Sequence, residues 1–198
     1  TEVCAEPDTD PAEIVALTAA LLEKSILLRA EHERIVRYRM LDSVRAYGAE
    51  RLRESGQNAA IRRRHRDRYA RFLRRSQADW LASLTPEWFM RLDREHPDVR
   101  AALEFSLTEP GEARTALAMA GALHPFWTIR GLTSEGRYWL DRALAGAGGP
   151  SAEAVAAAYT STVLAALQGD FAAADAMVRQ AQAIAVQLGS PWRLAVAL

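Results

Sequence analysis

Cysteine and lysine are almost absent from this sequence of 198 residues, in which Cys4 and Lys24 are the sole examples of each. A single cysteine excludes an intramolecular disulfide, and a zinc site would need His, Asp or Glu for all its other ligands. The simplest compartment for such a chain is a reducing one. We therefore expect a cytoplasmic protein.

Long hydrophobic runs are also missing. No stretch approaches the ~20 apolar residues that span a bilayer, and the N-terminus lacks the basic and then apolar order of a signal peptide. We predict no membrane partner. The chain starts at Thr1 rather than at a methionine, and its last residues, RLAVAL, fall within a helical pattern, so we expect a segment of a longer protein.

Catalytic motifs are missing as well. The four histidines fall in different predicted elements, and no pair has the His-Glu-x-x-His spacing that holds zinc on one helix face: His32, His65, His96 and His124. The Gly-x-Ser-x-Gly nucleophile motif is absent too. We therefore predict a protein that is not an enzyme, with no catalytic residue, no metal site and no cofactor.

One glycine-rich run, at 146–150, has the composition of a phosphate-binding loop. No Lys-Ser or Lys-Thr follows it and no strand precedes it, so the context of a nucleotide site is missing. We predict a plain loop between two helices. Ser151 is then placed to cap the second of them.

What the sequence does contain is typical of a globular protein. Its 25 basic residues balance 25 acidic ones, and 49% of the chain is apolar. This composition favours neither a disordered chain nor a protein that binds polyanions over its whole surface.

The first part of the chain predicts a helix, a β-hairpin and a second helix. Asp10-Pro11 supplies an N-cap and a first helical proline, and apolar residues then recur at helical spacing to about residue 24. Two short β-prone runs within 25–41 surround a polar centre at Glu31 to Glu33. Asp42 or Ser43 is expected to cap the next helix, which ends near Gly56.

The next helix carries the most biased charge in the chain. Between 62 and 75 there are eight arginines and one acidic residue, Asp67. Such a face is able to contact phosphates, and its binding would then weaken as salt is added. Arginines on the wet face of a helix are more commonly solvated or paired with acids.

The last part of the chain contains a repeat of 38 residues, measured between Gly131 and Gly169. At offsets of five, nine and twelve residues, both glycines are followed by small or aliphatic residues: Gly136, Leu140 and Ala143, then Ala174, Val178 and Ala181. A fainter copy starts at His96. Each unit predicts a helix, a tight turn and a second helix, and such pairs bury a core by stacking.

Five stretches, taken in order, resemble the region that follows the nucleotide-binding domain in bacterial STAND-type signal-transduction ATPases. They are LTAALLEKSILL, RYRMLDSVRAYGAERL, RRRHRDRYARFL, WFMRLDREHPDVRAALEFSL and FWTIRGLTSEGRYWLDRAL. Many of these ATPases are LuxR-family or AfsR-like transcriptional regulators. The resemblance covers about residues 3 to 190, but this chain has no Gly-x-x-x-x-Gly-Lys-Ser/Thr motif.

The resemblance implies a mainly α fold. The C-terminal part of a winged-helix domain would occupy 1–56, amphipathic connecting helices 57–95, and a tetratricopeptide-like α-solenoid of helix pairs 96–198. It also implies an ATPase domain of the parent chain, N-terminal to this segment, as the partner of the winged helix. The repeats would then act as a sensor for an inducer or a partner protein.

Two functions therefore stay open. In the first, the repeats bind an inducer or partner protein through residues that include Trp127, Ile129, Arg130 and Trp139. In the second, a winged helix binds DNA, with phosphate contacts from arginines of the hairpin and of the charged helix: Arg34, Arg37, Arg39, Arg62, Arg63 and Arg66. Tryptophans at helical spacing also suit a core, because burial is the commonest fate of aromatic residues.

Overall fold

The computed structural model describes residues 3–4, 10–32, 35–82 and 86–189. Over these ranges the chain is mainly helical, with one two-stranded antiparallel sheet between helices, so the predicted fold class is confirmed. The chain divides into two compact units, Thr1–Arg68 (unit 1) and Tyr69–Leu198 (unit 2). The boundary falls inside one long helix.

Unit 1 has the predicted order of helix, hairpin and helix. Its elements are α1 (Pro11–Glu23), β1 (Leu27–His32), β2 (Ile35–Met40), α2 (Asp42–Glu54) and the start of α3 (Asn58–Ala82). The strands pair with Leu27 opposite Met40 and Leu28 opposite Arg39. Because side chains alternate along a strand, Leu27 and Met40 share one face of the hairpin, while Leu28 and Arg39 share the other.

The ends of these helices show which capping predictions hold. The Asp10 carboxylate accepts a hydrogen bond from the Ala12 N–H at 2.9 Å, as predicted. The predicted cap of α2 is wrong. Leu41 occupies the N-cap position and makes no side-chain cap, because Asp42 is already the first helical residue. Gly56, with φ +74, follows the end of α2 in the left-handed conformation that favours glycine.

Unit 1 buries little. Every buried hydrophobic side chain among the described residues lies at or beyond Tyr69. In unit 1, large apolar side chains stay exposed on α1, on the hairpin and on α2, and they include Val15, Tyr38 and Tyr47. Unit 1 therefore gains little stability from apolar burial of its own.

Unit 2 consists of stacked helices. After the end of α3 come α4 (Pro86–Thr108), α5 (Ala113–Ala122), α6 (His124–Ile129), α7 (Thr133–Gly146), α8 (Ala152–Leu167) and α9 (Phe171–Gln187). Helices α5 and α6 are separated by Leu123 alone. Pro125 lies in the first turn of α6, where a backbone N–H has no helical partner to lose. Because proline has no N–H, it also prevents α5 from continuing as one helix through this position.

The 38-residue repeat corresponds to two helix pairs, α6 with α7 and α8 with α9, whose first helices end in the same way. Gly131 (φ +67) lies between α6 and α7, and Gly169 (φ +75) lies between α8 and α9. One residue after each glycine, an N–H donates back into the preceding helix: Leu132 to the Trp127 carbonyl at 2.9 Å, and Asp170 to the Ala165 carbonyl at 3.0 Å. These bonds satisfy carbonyls that would otherwise lack partners at the helix end.

The faint third copy does not start with a turn. Helix α4 continues through His96 without interruption, so His96 is not the counterpart of the two glycines. His96 lacks the conformational freedom of glycine, and the chain around it makes helical hydrogen bonds instead.

Gly136 lies where three helices of unit 2 approach one another closely. A Cβ atom built on it would lie 2.5 Å from Leu164 Cδ1 and 2.8 Å from Trp127 Cγ. Trp127 and Leu164 are fully buried, so α6, α7 and α8 meet here with no space left for a methyl group. Burying a leucine-sized side chain contributes roughly 1.5–3 kcal/mol, so the stacking of these helices stabilises the unit.

Candidate partner-binding surface of the helical repeats

Two ion pairs join residues about one repeat apart and hold the stacked helices in register. The Arg142 guanidinium on α7 donates to both carboxylate oxygens of Glu104 on α4, at 2.7 and 3.2 Å. This pairing raises the pKa of Arg142. Arg114 on α5 pairs with Glu153 on α8 at 3.3 Å. The pairs are partly exposed, so they fix the register more than they add stability.

A cluster around Glu135 joins α4 to α7. Its Oε1 atom lies 3.1 Å from His96 Nε2, 3.1 Å from Trp139 Nε1, which donates to it, and 3.3 Å from Arg100 Nε. The His96 ring also packs against the ring of Trp127, with 5.9 Å between centroids. One hydrogen-bond donor and two further close contacts on one half-buried carboxylate oxygen favour a structural role for Glu135 over acid–base chemistry.

The two glycine turns lie side by side. Gln168, at the end of α8, donates to the hydroxyls of Thr133 and Ser134 at the start of α7, at 3.0 and 2.9 Å. Arg137 on α7 pairs with Asp170 at 3.0 Å. The pKa of Asp170 lies below its usual value, first because its carboxylate accepts the Ala173 N–H and then because of Arg137. This edge of unit 2 is therefore fixed by polar contacts.

Two of the predicted partner-binding residues are buried. Trp127 is 0% exposed and Trp139 is 4% exposed. The indole N–H of Trp127 donates to the Ala120 carbonyl at 3.4 Å, inside the stack. Both side chains fill the space between helices. A contact role for them stays a prediction.

The other two predicted residues lie at the turn. Ile129 is 56% exposed, and the Arg130 guanidinium is exposed while it pairs with Asp93 at 3.1 Å. The counterpart of Ile129 one repeat later is Leu167, which is 57% exposed, and Phe171 beyond the same turn is 72% exposed. We call these four residues, Ile129, Arg130, Leu167 and Phe171, the turn edge.

Leu167 and Phe171 were missed by the sequence analysis, although the repeat could have identified one of them. Adding the 38-residue period to Ile129 gives Leu167 directly. Phe171 carries no such signal, because an aromatic residue at the start of a helix is more commonly packed than exposed. Exposed apolar side chains that form one contiguous patch are the kind of surface that another molecule covers.

The arginines of the DNA-binding alternative do not form one exposed set. Arg39 on β2 and Arg62 and Arg63 on α3 are exposed, whereas Arg37 is half-buried. Arg66 is 4% exposed and its Nε atom donates to Asp67 at 2.8 Å. Its contact with phosphate stays a prediction. Arg34 lies outside the described residues.

The histidines are packed rather than grouped for chemistry. His124 lies 3.2 Å from the Thr160 hydroxyl through Nδ1, and its ring stacks on Tyr159 with 15° between the planes. Burial lowers the pKa of His124 and so favours its neutral form. Across the described ranges, no three His, Cys, Asp or Glu residues come together as a metal site would require.

No helix within the described ranges combines the length and the apolar character that a transmembrane segment needs.

Comparison with known proteins relates the chain to part of much longer ones. No protein-family profile and no solved structure matches it. Among curated proteins, it is 33% identical over 149 residues to one from Mycobacterium bovis and to others from Mycobacterium tuberculosis, each named "Putative HTH-type transcriptional regulator". The match covers 72% of this chain but 16% of each relative. The chain is therefore similar to one segment of proteins that carry this name.

Proposed function

We propose that this chain is a non-catalytic regulatory segment of a transcriptional regulator, in which the helix pairs of unit 2 bind an inducer or a partner protein. The turn edge carries this proposal. It presents apolar side chains of two successive repeats on a framework fixed by hydrogen bonds and ion pairs. The name of the mycobacterial relatives supports a role in transcription.

The finer assignment follows the resemblance to STAND-type ATPases. In this proposal 1–56 is the C-terminal part of a winged-helix domain, 57–95 connects it, and 96–198 is a tetratricopeptide-like array. An ATPase domain elsewhere in the parent chain is the partner of the winged helix. Binding at the array would change the regulator's state in the cytoplasm, through a coupling typically worth ~1–3 kcal/mol.

The test replaces exposed apolar residues of the turn edge in the full-length gene of the native host. The double variant Ile129→Ser with Phe171→Ser removes two side chains that are 56% and 72% exposed. Transcripts are sequenced in this strain, in the unmodified strain and in a deletion strain. We expect the genes that respond to the deletion to lose their normal regulation in the double variant as well.

The matched control is Val186→Ser, which removes a 62% exposed apolar residue from α9 without touching the turn edge. Exposed substitutions change stability by within about 0.5 kcal/mol, so melting curves of all variants should agree closely. Normal regulation in the double variant, in a strain background where the deletion has an effect, would reject the proposal.

DNA binding is the second candidate, favoured by the exposure of Arg39, Arg62 and Arg63 in unit 1. Fluorescence anisotropy with labelled duplex DNA, measured from low to physiological salt, separates the two. DNA binding predicts an affinity that falls steeply as salt rises and that weakens in the variant Arg62→Glu with Arg63→Glu. Our proposal for unit 2 requires no such binding by this chain.

A further inference from the structure

A pocket of about 210 Å³ lies between α3, α5 and α8, with all its lining residues in unit 2. The floor is apolar, since Leu73 and Met119 both line it and are each 2% exposed. Ala118 on α5 also lines the pocket and is exposed. Small-molecule sites usually measure about 300–1,000 Å³, so this pocket suits one anchoring side chain better than a whole ligand.

Charged side chains complete the lining: Arg74, Arg114 and Glu153. Glu153 pairs with Arg114 at 3.3 Å. Its pKa is held below the usual value, first by its own backbone N–H, then by Ser151 and Arg114. Glu153 therefore stays ionised at neutral pH and compensates the charge of Arg114.

Arg74 leaves the pocket with an excess of positive charge. The charged lining residues are two arginines and one glutamate, so the lining carries a formal excess of one positive charge. A positive field favours an anionic partner and speeds its approach. A bare phosphate would leave the apolar floor of Leu73 and Met119 uncovered, whereas a peptide with one apolar residue among carboxylates matches both features.

We propose that this pocket binds an acidic peptide segment of a partner protein, with one leucine-sized apolar side chain on the floor and a flanking carboxylate on Arg74. This inference rests on the proposed function, because it names the chemistry of the partner that unit 2 binds. The pocket is formed by α3, α5 and α8, and none of its lining residues belongs to the turn edge.

The test measures fluorescence anisotropy of labelled peptides with the full chain. The probe is Glu-Asp-Glu-Leu-Glu-Asp-Glu, compared with one peptide in which alanine replaces leucine and another in which glutamine and asparagine replace the acids. We expect saturable binding of the probe. We also expect at least about tenfold weaker binding of both comparison peptides, because each loses one of the two matching features.

Variants of the chain test the same pocket. Ala118→Leu fills the space, and Arg74→Glu reverses the charge of one side chain. Each should weaken binding of the probe at least about tenfold. The matched controls are Ala172→Leu and Arg179→Glu on α9, where both native residues are exposed and lie outside the pocket. The controls should bind the probe within about twofold of the unmodified chain.

This inference would be overturned by the absence of saturable probe binding, by equal binding of the alanine peptide, or by full affinity in Ala118→Leu. Displacement of the probe by duplex DNA or by inorganic phosphate, at matched ionic strength, would assign the arginines to phosphate and overturn it too. If the turn-edge strain loses regulation while the probe does not bind, the pocket assignment fails and the proposed function stands.

Discussion

The two units of this chain differ in how they are held together. Unit 2 buries Trp127, Leu140 and Leu164 completely between helices that repeat every 38 residues. Unit 1 also contains well-formed helices, yet Val15 and Tyr47 stay more than 60% exposed. Secondary structure alone therefore does not show where stability lies. We infer that unit 2 is a stable framework, whereas unit 1 depends on local hydrogen bonds and on surfaces that it can share with another domain.

The largest contrast is expected from removing one aromatic side chain in each unit. Trp127→Ala should lower the free energy of unfolding by roughly 3–5 kcal/mol, because it leaves a cavity in the core. Tyr47→Ala removes a ring that is 61% exposed and should change it by within about 0.5 kcal/mol. Urea denaturation followed by circular dichroism measures both. Similar losses in the two variants would contradict the contrast.

Adding a methyl group tests the same core in the opposite direction. Gly136→Ala places a Cβ atom against Leu164 and Trp127, and such overpacking typically costs about 1–3 kcal/mol. Gly148→Ala is the matched control, since a Cβ there would meet nothing within 4 Å. Thermal melting of the two variants should differ clearly. An unchanged melting temperature for Gly136→Ala would mean that the helices separate easily at this point.

Helix caps of the same chemistry occur in both units and allow a finer comparison. Asp170 caps α9 by accepting the Ala173 N–H at 3.1 Å, and Asp10 caps α1 by accepting the Ala12 N–H at 2.9 Å. Replacing a cap by alanine typically costs ~1 kcal/mol. Asp170→Ala should lower global stability by about that amount, whereas Asp10→Ala should act on local fraying of α1. Urea midpoints that fall equally in both variants would show one cooperative unit instead of two.

The smallest expected effect concerns pH. Burial sets the pKa of His124 below its usual value of 6.5, so the unfolded chain binds more protons than the folded one as pH falls through this range. Stability from neutral His124 is thus present above pH 6.5 and is lost progressively below it. His124→Gln should flatten this part of the stability curve, measured by urea denaturation at successive pH values. A steeper acid loss in the variant would contradict the assignment.

Local sequence rules predicted most of the fold because several helix ends carry residues that are typical of caps and turns. Asp10-Pro11 and Ser151 mark helix starts, and Gly131 and Gly169 mark turns that require positive φ. The start of α2 was misassigned by one residue, since the sequence offers Asp42 and Ser43 as caps while the chain uses Leu41. Competing polar residues next to each other leave such a boundary open.

Exposure was harder to predict than fold. Trp127 and Ile129 lie two residues apart, yet one is fully buried and the other is 56% exposed. Helical periodicity gives the spacing of an apolar stripe but does not show which neighbouring helices cover it. The burial of Arg66 was equally hard to predict. It depends on the tertiary fold, whereas the surrounding run of arginines suggests a solvated side chain. The pocket at Arg74 combines three helices and has no sequence motif at all.

Native-state hydrogen exchange on the intact chain tests the contrast between the units most directly, since it reports the opening free energy of each helix. We predict that amides of α7 and α8 exchange only at the free energy of global unfolding. Amides of α1 and α2 should exchange at least about 100-fold faster, which is ~2.7 kcal/mol less protection at 25 °C. Equal protection in the two units would contradict the account, because unit 1 would then share the stability of the stacked helices.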